Sequence, residues 1–507
     1  MKKFFKWWHK WVGLVFSVFV ILFSISGIVM NHRSLFSSID ISRSFLPSNY
    51  TIKNYNNGVI KGTLHFSKDS LLCYGAVGCF IVDKSFNILT DCNDGFDKGV
   101  DNRKVCHIVR DDYGHIFCNT LNDVFILDTI LRKWQKIKLS WDGERLSDVV
   151  TKGDTLFVLS RSYVYELVFP YNKSKRIEIK VPYNYKKEIT LFKTVWMLHS
   201  GALFGKTGRI VVDILGMILI LLSITGIIYF FLPYGIRKRK KMLKKNKYQI
   251  KILKLNFKLH KGLGLYLIPF IVLLVFTGMC LRPPLMIPLV LNSTRPLKYT
   301  HLDQSNHFHD KLRAIRWDGD SNSWLLSTSE GFYRVKDLEK DTANKINSNI
   351  SVSPMGINVF EQNEDSTWLI GSFVGMFVWD IQKDKITDYF THKAYKKNKG
   401  RPIGRNMISG FSKREDGKDI IFTYDRGALT MLPQNDTILK KQPMSLWNCA
   451  LEVHSGRLYF TFFRAISDLF IFLSGLASLL ILISGFLIMR KRKIKQQKKD
   501  FLHGDAK

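Results

Sequence analysis

The sequence predicts a membrane α-helical bundle of four transmembrane helices, built by tandem duplication, with an all-β, propeller-like domain outside the cytoplasm. Four apolar stretches indicate the helices, because about 20 apolar residues cross a bilayer core of roughly 30 Å. These stretches cover residues 12–30, 210–232, 263–281 and 466–489. A histidine-centred repeat indicates the duplication, and short alternating runs between the apolar stretches indicate the β domain.

The apolar stretches divide the chain into eight segments. In order, they are a cytoplasmic N-terminus with the first span (1–30), a β segment (31–205), the second span (206–232), a basic loop (233–261), the third span (262–283), a second β segment (284–463), the fourth span (464–489) and a basic tail (490–507). The first span is expected to stay uncleaved, because its apolar run is too long for a signal peptide and lacks a small-residue cleavage site.

The net charge of +34 is concentrated beside the apolar stretches. Residues 237–261 contain twelve Lys or Arg and no acidic residue, and both termini are basic. Cations of this kind accumulate on the cytoplasmic side and contact anionic lipid headgroups. We therefore expect cytoplasmic termini, two outer β segments and, in a bacterium, residence in the inner membrane with those segments in the periplasm. This placement argues against nucleic acid as a partner.

Each outer segment contains three apolar-alternating runs separated by Gly, Asn and Asp turns. The runs cover residues 71–89, 115–137, 154–168, 323–335, 367–381 and 418–432. Their spacing of roughly 40–50 residues is typical of propeller blades. Because three blades alone leave long open edges, one joined propeller of about six blades is favoured over two separate β domains.

Four histidines stand at equivalent places in the two halves. His9 and His260 begin the first span of each half, and a hydroxyl residue followed by glycine lies beyond each (Ser26-Gly27 and Thr277-Gly278). His199 and His454 precede the second span of each half, both in the sequence His-Ser-Gly. Each face of the membrane therefore receives one histidine from each half.

Two neutral imidazoles facing each other across a helix bundle suit the two axial positions of a haem iron. The sequence therefore predicts two b-type haems, an inner one held by His9 and His260 and an outer one held by His199 and His454. A single histidine at this depth is more often a plain interfacial residue. His32, whose repeat equivalent is Pro283, is a possible alternative outer ligand.

Arg209 and Arg464 lie four residues before Asp213 and Asp468, respectively. Pairing on one helix face would neutralise these carboxylates, and the arginines are also candidates to bind the haem carboxylates. A helix-end ion pair without a cofactor role is equally compatible with the pattern.

Other polar residues give weaker signals. His301, His307 and His309 could form a metal site or simply lie in a linker. Five of the seven cysteines fall in the first outer segment, where disulfides are permitted, and the absence of Cys-x-x-Cys argues against covalently attached haem.

The histidine motifs resemble those of the PepSY-associated transmembrane family, which includes inner-membrane ferric-siderophore reductases. The resemblance lies in His9-x3-Gly13 leading to Ser26-Gly27 and in Leu198-His199-Ser200-Gly201, and it covers the spans and their approaches. It implies b-type haems on His9, His199, His260 and His454 that carry electrons to a periplasmic ferric chelate. The outer segments depart from the family, because they are predicted to be β blades rather than small α/β domains.

The leading hypothesis is a dihaem membrane reductase that takes electrons from membrane quinol or a cytoplasmic donor protein. Its acceptor would be a ferric siderophore or another ferric chelate. The alternative is a non-enzymatic propeller receptor or sensor anchored by the helices. A transporter is disfavoured because the apolar stretches lack an evident broken-helix pair.

Overall fold

The computed structural model describes residues 2–348, 350, 353, 356–395, 404, 406–414, 419–430, 437–459 and 467–504. The side chains of residues 2, 467, 468 and 491–504 are outside that description. The chain forms two compact units. The helical unit comprises Met1–Phe36, Lys187–Gln304 and Leu446–Lys507, and the β unit comprises Ser37–Lys186 and Ser305–Ser445. Both outer segments thus contribute to the single β unit.

The α-helices follow the apolar stretches and their flanks. In chain order they are α1 (Lys2–Asn31), α2 (Arg33–Phe36), α3 (Leu191–His199), α4 (Gly205–Lys241), α5 (Lys247–Tyr266), α6 (Ile268–Cys280), α7 (Met286–Leu291), α8 (Thr437–Lys441), α9 (Leu446–His454) and α10 (Ser467–Gly504). Within the described residues, three helices are long and apolar enough to cross a membrane, lying in Lys3–Asn31, Ala202–Lys241 and Leu469–Arg490. These three confirm apolar helices at the N-terminus, in the middle and near the C-terminus.

The third predicted span is broken. Helices α5 and α6 meet at an angle of 68° around Leu267, and they count as a fourth span only if taken together. Pro269 stands at the start of α6, where the missing N–H and the fixed φ of proline are tolerated. The expectation that the spans lack a broken-helix pair is therefore wrong, and four complete spans remain a prediction.

The His-Ser-Gly motifs end two matching short helices. Helices α3 and α9 each have nine residues and end at His199 and His454. The glycines that follow, Gly201 and Gly456, have φ of 76° and 81°, which is the left-handed conformation that glycine adopts at low cost after a helix. A Cβ on Gly201 would also lie 2.2 Å from the Gly208 carbonyl oxygen. The motif therefore turns the chain sharply just after each histidine.

The β unit contains six antiparallel sheets, three from each outer segment, numbered here in chain order. Sheet 1 has strands Gly62–Ser67, Ser70–Gly75, Gly78–Asp83 and Ile88–Asp91; sheet 2 has His107–Arg110, Ile116–Asn119, Val124–Asp128 and Lys133–Lys136; sheet 3 has Leu146–Lys152, Thr155–Ser160, Val164–Val168 and Lys175–Ile177. Sheet 4 has Leu312–Asp318, Ser323–Thr328, Gly331–Val335 and Asn344–Ile346; sheet 5 has Val359–Gln362, Trp368–Ser372, Gly375–Asp380 and Lys385–Asp388; sheet 6 has Ile408–Ser412, Ile420–Thr423 and Gly427–Ala428.

Two short strand pairs complete the described β structure. Asp40–Ile41 pairs with Met444–Ser445 in the β unit, and Ile189–Thr190 pairs with Ser293–Thr294 in the helical unit. The sheets confirm the prediction of an all-β domain, but the predicted outer segments also contain the short helices α2, α3, α7, α8 and α9.

Neighbouring sheets share hydrophobic cores on their facing surfaces. Because successive side chains of a strand point to opposite faces, Leu326 packs in a core with residues of sheet 3 while Leu325 packs in one with residues of sheet 5. Similar clusters join sheets 1 and 2, 2 and 3, and 5 and 6. A further cluster unites Phe80 of sheet 1 with Phe422 of sheet 6. Each sheet is thereby packed on both faces.

A buried polar cluster ties the first strands of sheets 2, 3 and 4. Arg316 donates to Asp148 Oδ2 at 2.6 Å and to His107 Nε2 at 3.1 Å. His107 Nδ1 donates to the Val149 carbonyl at 2.9 Å. Burial and the adjacent guanidinium lower the pKa of His107 to about 4. Although burial opposes ionisation of Asp148, Arg316 and His107 hold its pKa below the ordinary value.

Candidate functional site

A cavity of about 930 Å³ runs through the helical unit. All four repeat histidines line it, two near each end, and most of the remaining wall is aliphatic or aromatic. We call the end at His9 and His260 the first end, and the end at His199 and His454 the second end. Such an apolar cavity with a few convergent polar groups is typical of a cofactor site.

The histidines form two pairs, as the repeat predicts. The ring centroids of His9 and His260 lie 6.2 Å apart, and those of His199 and His454 lie 6.0 Å apart. The first pair includes His9 of α1, and the second is anchored on the same helix near Ser26. Seventeen residues of helix correspond to roughly 25 Å, so the pairs define two separate sites.

Each histidine is held through its Nδ1 atom by a hydroxyl group on a neighbouring helix. The contacts are His9 to Ser484 at 3.3 Å, His260 to Thr225 at 2.9 Å, His199 to Thr277 at 3.1 Å and His454 to Ser26 at 3.1 Å. Three of the Nδ1 atoms also lie within 3.1 Å of a backbone carbonyl oxygen, on Ile481, Leu274 and Phe23. The four rings are thus fixed in a common way.

These contacts determine which ring nitrogen carries the proton. The single hydroxyl proton of Thr277 is donated to the Leu273 carbonyl at 2.8 Å, and Thr225, Ser26 and Ser484 donate likewise to carbonyls of their own helices. The hydroxyls therefore accept from Nδ1–H. The unprotonated nitrogen of each ring is Nε2, and this is the tautomer in which an imidazole binds a metal while its other nitrogen is oriented by a hydrogen bond.

The anchoring groups come from the opposite half of the duplication. His9 contacts the fourth span, and His454 contacts the first. His199 contacts the third span, and His260 contacts the second. Each half therefore positions the histidines of the other. This reciprocal exchange keeps the two halves packed together and gives both pairs the same construction.

A glycine next to each hydroxyl residue leaves room for the histidine ring. A Cβ added to Gly278 would lie 2.8 Å from His199 Cε1, and one on Gly485 would lie 2.9 Å from His9 Cε1. The corresponding distances are 3.2 Å from Gly27 to His454 and 3.5 Å from Gly226 to His260. Each of these glycines therefore makes space for an imidazole ring.

The geometry fits a haem between each pair. With metal–nitrogen bonds of about 2 Å, two imidazoles that share one metal have ring centroids roughly 6 Å apart. The measured separations agree with this value. Basic side chains line both ends of the cavity, namely Lys6, Lys10, Arg237 and Lys261 at the first end and Arg282 at the second. The cavity thus has cationic side chains at both ends.

The other predicted site residues are placed differently. Arg209 is exposed and lies outside the cavity lining, and Arg464 is outside the described residues. Asp213 is paired with His32, whose Nε2 lies 2.6 Å from Asp213 Oδ2, and with the amide of Asn31 at 2.9 Å. The expected Arg209–Asp213 pair is therefore wrong in the described structure. With Nε2 on a carboxylate, His32 is not arranged as an outer ligand.

The linker histidines do not form a joint metal site. His301 lies against Gly205, His307 against Tyr185 and His309 against Ser162. Among the described residues, no group of three or more His, Cys, Asp or Glu is arranged to hold a metal ion. All seven cysteines are free thiols, and the five in the first outer segment are buried.

Sequence reasoning missed the anchoring role of four dipeptides. Ser26-Gly27, Thr225-Gly226, Thr277-Gly278 and Ser484-Gly485 each receive one histidine. The signal was available, because a small hydroxyl residue followed by glycine occurs once in each of the first three apolar stretches and twice in the fourth, at Ser474-Gly475 and Ser484-Gly485. A repeat of that dipeptide in all four spans points to a shared function beyond helix packing.

The apolar helices and the all-β unit define a membrane protein with a domain outside the bilayer. The chain belongs to the family described as the PepSY-associated TM region, whose model matches residues 140–492, more than half of the chain. The suspected family is thereby confirmed. No curated protein matches the sequence.

Solved structures show only weak likeness. The extracellular domain of a one-component system from B. thetaiotaomicron is 9% identical with a TM-score of 0.35, over 79% of this chain and 44% of that chain. PorZ, a surface component of the type-IX secretion system of Porphyromonas gingivalis, is 9% identical with a TM-score of 0.34, over 72% and 37%. The chain thus spans less than half the length of these proteins.

Proposed function

We propose that this protein is a dihaem membrane reductase that delivers electrons to an acceptor outside the cytoplasm. His9 and His260 hold the inner b-type haem, and His199 and His454 hold the outer one. The observation that carries the proposal is the common construction of the two pairs: four Nδ1 atoms anchored by hydroxyls, with Nε2 left unprotonated. A bound haem supplies reversible one-electron transfer.

The protein's own residues contribute orientation and charge. The hydroxyl and glycine of each dipeptide fix the ring plane, and the apolar wall of the cavity excludes water from the irons. Lys10, Lys261 and Arg282 balance the haem carboxylates. A cytoplasmic donor protein or membrane quinol is the source of electrons.

The proposal includes an orientation. We propose four spans, with the basic termini and the basic loop in the cytoplasm of a bacterium and the β unit in the periplasm, which is supported by the positive charge beside the spans. The six sheets of the β unit form one propeller-like ring, which is supported by the cluster that unites sheet 1 with sheet 6. In this arrangement the second end of the cavity faces the periplasm.

The acceptor we propose is a ferric siderophore or another ferric chelate. Ferric iron is held by hard oxygen ligands, and reduction to ferrous iron weakens that binding and releases the metal. This choice is supported by the ferric-siderophore reductases within the family. The β unit would bind the chelate outside the cytoplasm.

The first experiment counts haems in purified variants. Wild-type protein should contain two haems per chain, and His199→Ala and His9→Ala should each retain one. His392→Ala, at an exposed position of the β unit, should retain both. Equal loss of both haems in the single variants would contradict the two-site arrangement, and colourless wild-type protein would favour the receptor hypothesis.

A second experiment tests the acceptor. Protein reduced by dithionite and freed of excess reductant is mixed anaerobically with a ferric hydroxamate, and the haem absorbance is followed. Reoxidation with one ferrous ion formed per haem supports the proposal. Reduced protein that stays reduced with ferric chelates of several ligand types would exclude this class of acceptor.

A further inference from the structure

The second end of the cavity contains a buried carboxylate with two polar partners. Asp213 is the only acidic residue among the described side chains that line the cavity, and its side chain is 11% exposed. It accepts from Asn31 Nδ2 at 2.9 Å and lies 2.6 Å from His32 Nε2. A carboxylate within an apolar helix is costly, and residues of this kind are commonly proton relays.

The pair connects the cavity with the surface of the helical unit. Asp213 and Asn31 line the cavity, whereas His32 is outside its lining and has a side chain that is 35% exposed. A proton accepted by Asp213 can therefore pass directly to His32 and from there to the surface of the helical unit. Histidine is suited to this step, because it exchanges protons near neutral pH.

The duplication provides an internal control for the importance of this pair. By the offset from His9 and His260, the equivalents of Asn31 and His32 are Arg282 and Pro283. The second half thus builds its share of the histidine pairs without a histidine at this place. The His32–Asp213 pair is not needed to hold the imidazoles, so its presence in one half points to a separate role.

The surroundings indicate the ligand. At the first end, the charged residue types that line the cavity are lysine and arginine, namely Lys6, Lys10, Arg237 and Lys261. Among the described side chains that line the cavity, a carboxylate is present at the second end alone. Phe192 and Trp196, on the helix that ends at His199, add aromatic wall to the cavity. A flat, apolar molecule whose hydroxyl protons must leave on oxidation matches these features.

We infer that the second end of the cavity binds a membrane quinol, with Asp213 accepting its hydroxyl protons and His32 passing them to the outside. The inference rests on the proposed function and selects quinol over a cytoplasmic protein as the donor. Oxidation of one quinol breaks two O–H bonds and yields a quinone. Two protons leave in turn through Asp213 and His32, and the two electrons would be taken up singly by the haems that the two histidine pairs would hold.

The test uses full-length protein and two readouts. A photoreactive azidoquinone should label peptides around residues 192–213, whether or not haem is bound. The rate of haem reduction by menadiol should fall by about 100-fold or more in Asp213→Asn and His32→Gln, as expected for loss of a general base. Dithionite should still reduce both variants fully. The matched control Asp303→Asn, at an exposed position of the same unit, should behave as wild type.

Menadiol reduction at the wild-type rate in both variants would overturn the inference, and so would labelling confined to the first end. If Asp213→Asn no longer retains haem, the rate of menadiol reduction in His32→Gln alone tests the inference. Failure of the proposed function is distinguishable, because wild-type protein without haem would still report azidoquinone labelling.

Discussion

The glycine beside each anchoring hydroxyl allows a graded test of the site. A Cβ on Gly278 would lie 2.8 Å from His199 Cε1, whereas favourable carbon contacts lie at about 3.5–4.0 Å. In Gly278→Ala the ring must therefore move by roughly 0.7 Å or more. The Nδ1 contacts to Leu274 and Thr277 are already 3.1 Å long, so such a movement weakens both.

The size of the effect follows from packing. Adding a methyl group to a filled interior costs about 1–3 kcal/mol, which corresponds to a loss of roughly 5- to 150-fold in haem affinity at the second pair. Gly226→Ala places its Cβ 3.5 Å from His260, an ordinary contact, so its effect should stay within about threefold. The control is Gly262→Ala, whose Cβ would meet nothing within 4 Å.

Haem retention after purification and the rate of haem transfer to excess apomyoglobin measure the effect. We expect Gly278→Ala to lose the second haem selectively, with Gly226→Ala and Gly262→Ala close to wild type. Gly226→Ala losing as much haem as Gly278→Ala, or Gly278→Ala behaving as wild type, would refute the assignment of these glycines.

Further expectations concern the anchors and the β unit. Thr225→Val keeps the shape of the side chain but removes the acceptor of His260 Nδ1–H. Haem titration should therefore show an affinity at the first pair that is about 10- to 100-fold lower than in wild type. An unchanged affinity would contradict the anchoring role of Thr225. Because the pKa of His107 is lowered to about 4 in the folded β unit, the unfolded chain binds the additional proton between about pH 6.5 and pH 4. The free energy of unfolding of the β unit should have its full value above this pH window and should fall by about 3 kcal/mol as the pH drops through it. Urea unfolding of His107→Gln should show a flatter pH dependence over this window, and a slope equal to that of wild type would contradict the assignment. Leu326→Ala, in the core between sheets 3 and 4, should destabilise the β unit by about 2–5 kcal/mol in the same assay without changing haem content.

The sequence identified the histidines because their signals are local. His199-Ser200-Gly201 and its repeat need only a short stretch to be recognised, and hydropathy alone locates the apolar helices. The alternating runs likewise predicted β structure in both outer segments. These features depend on neighbouring residues, which a sequence displays directly.

Partners across helices were harder to predict. Arg209 stands at the helical spacing that favours pairing with Asp213, yet that carboxylate contacts Asn31, the last residue of α1, and His32, which follows it. Which residues pair with Asp213 depends on how α1 packs against α4, and no local sequence pattern indicates that packing. The hydroxyls that anchor the histidines also come from the opposite half, far away in the sequence.

The break between α5 and α6 was missed for a different reason. Residues 263–281 are continuously apolar, so hydropathy indicates one span. Pro269 was the available signal, since proline removes a helical hydrogen bond and favours the start of a helix over its interior. The break separates His260 from Thr277, so the third span contributes one of the paired histidines from α5 and an anchoring hydroxyl from α6.

The central claim is that each histidine pair holds a haem. The most direct measurement is the visible spectrum of the purified wild-type protein, oxidised and dithionite-reduced, with the haem content determined on the same sample. The account predicts the Soret and α bands of bis-histidine b-type haem and two haems per chain. A colourless protein, or one whose spectrum shows no bis-histidine ligation, would contradict it.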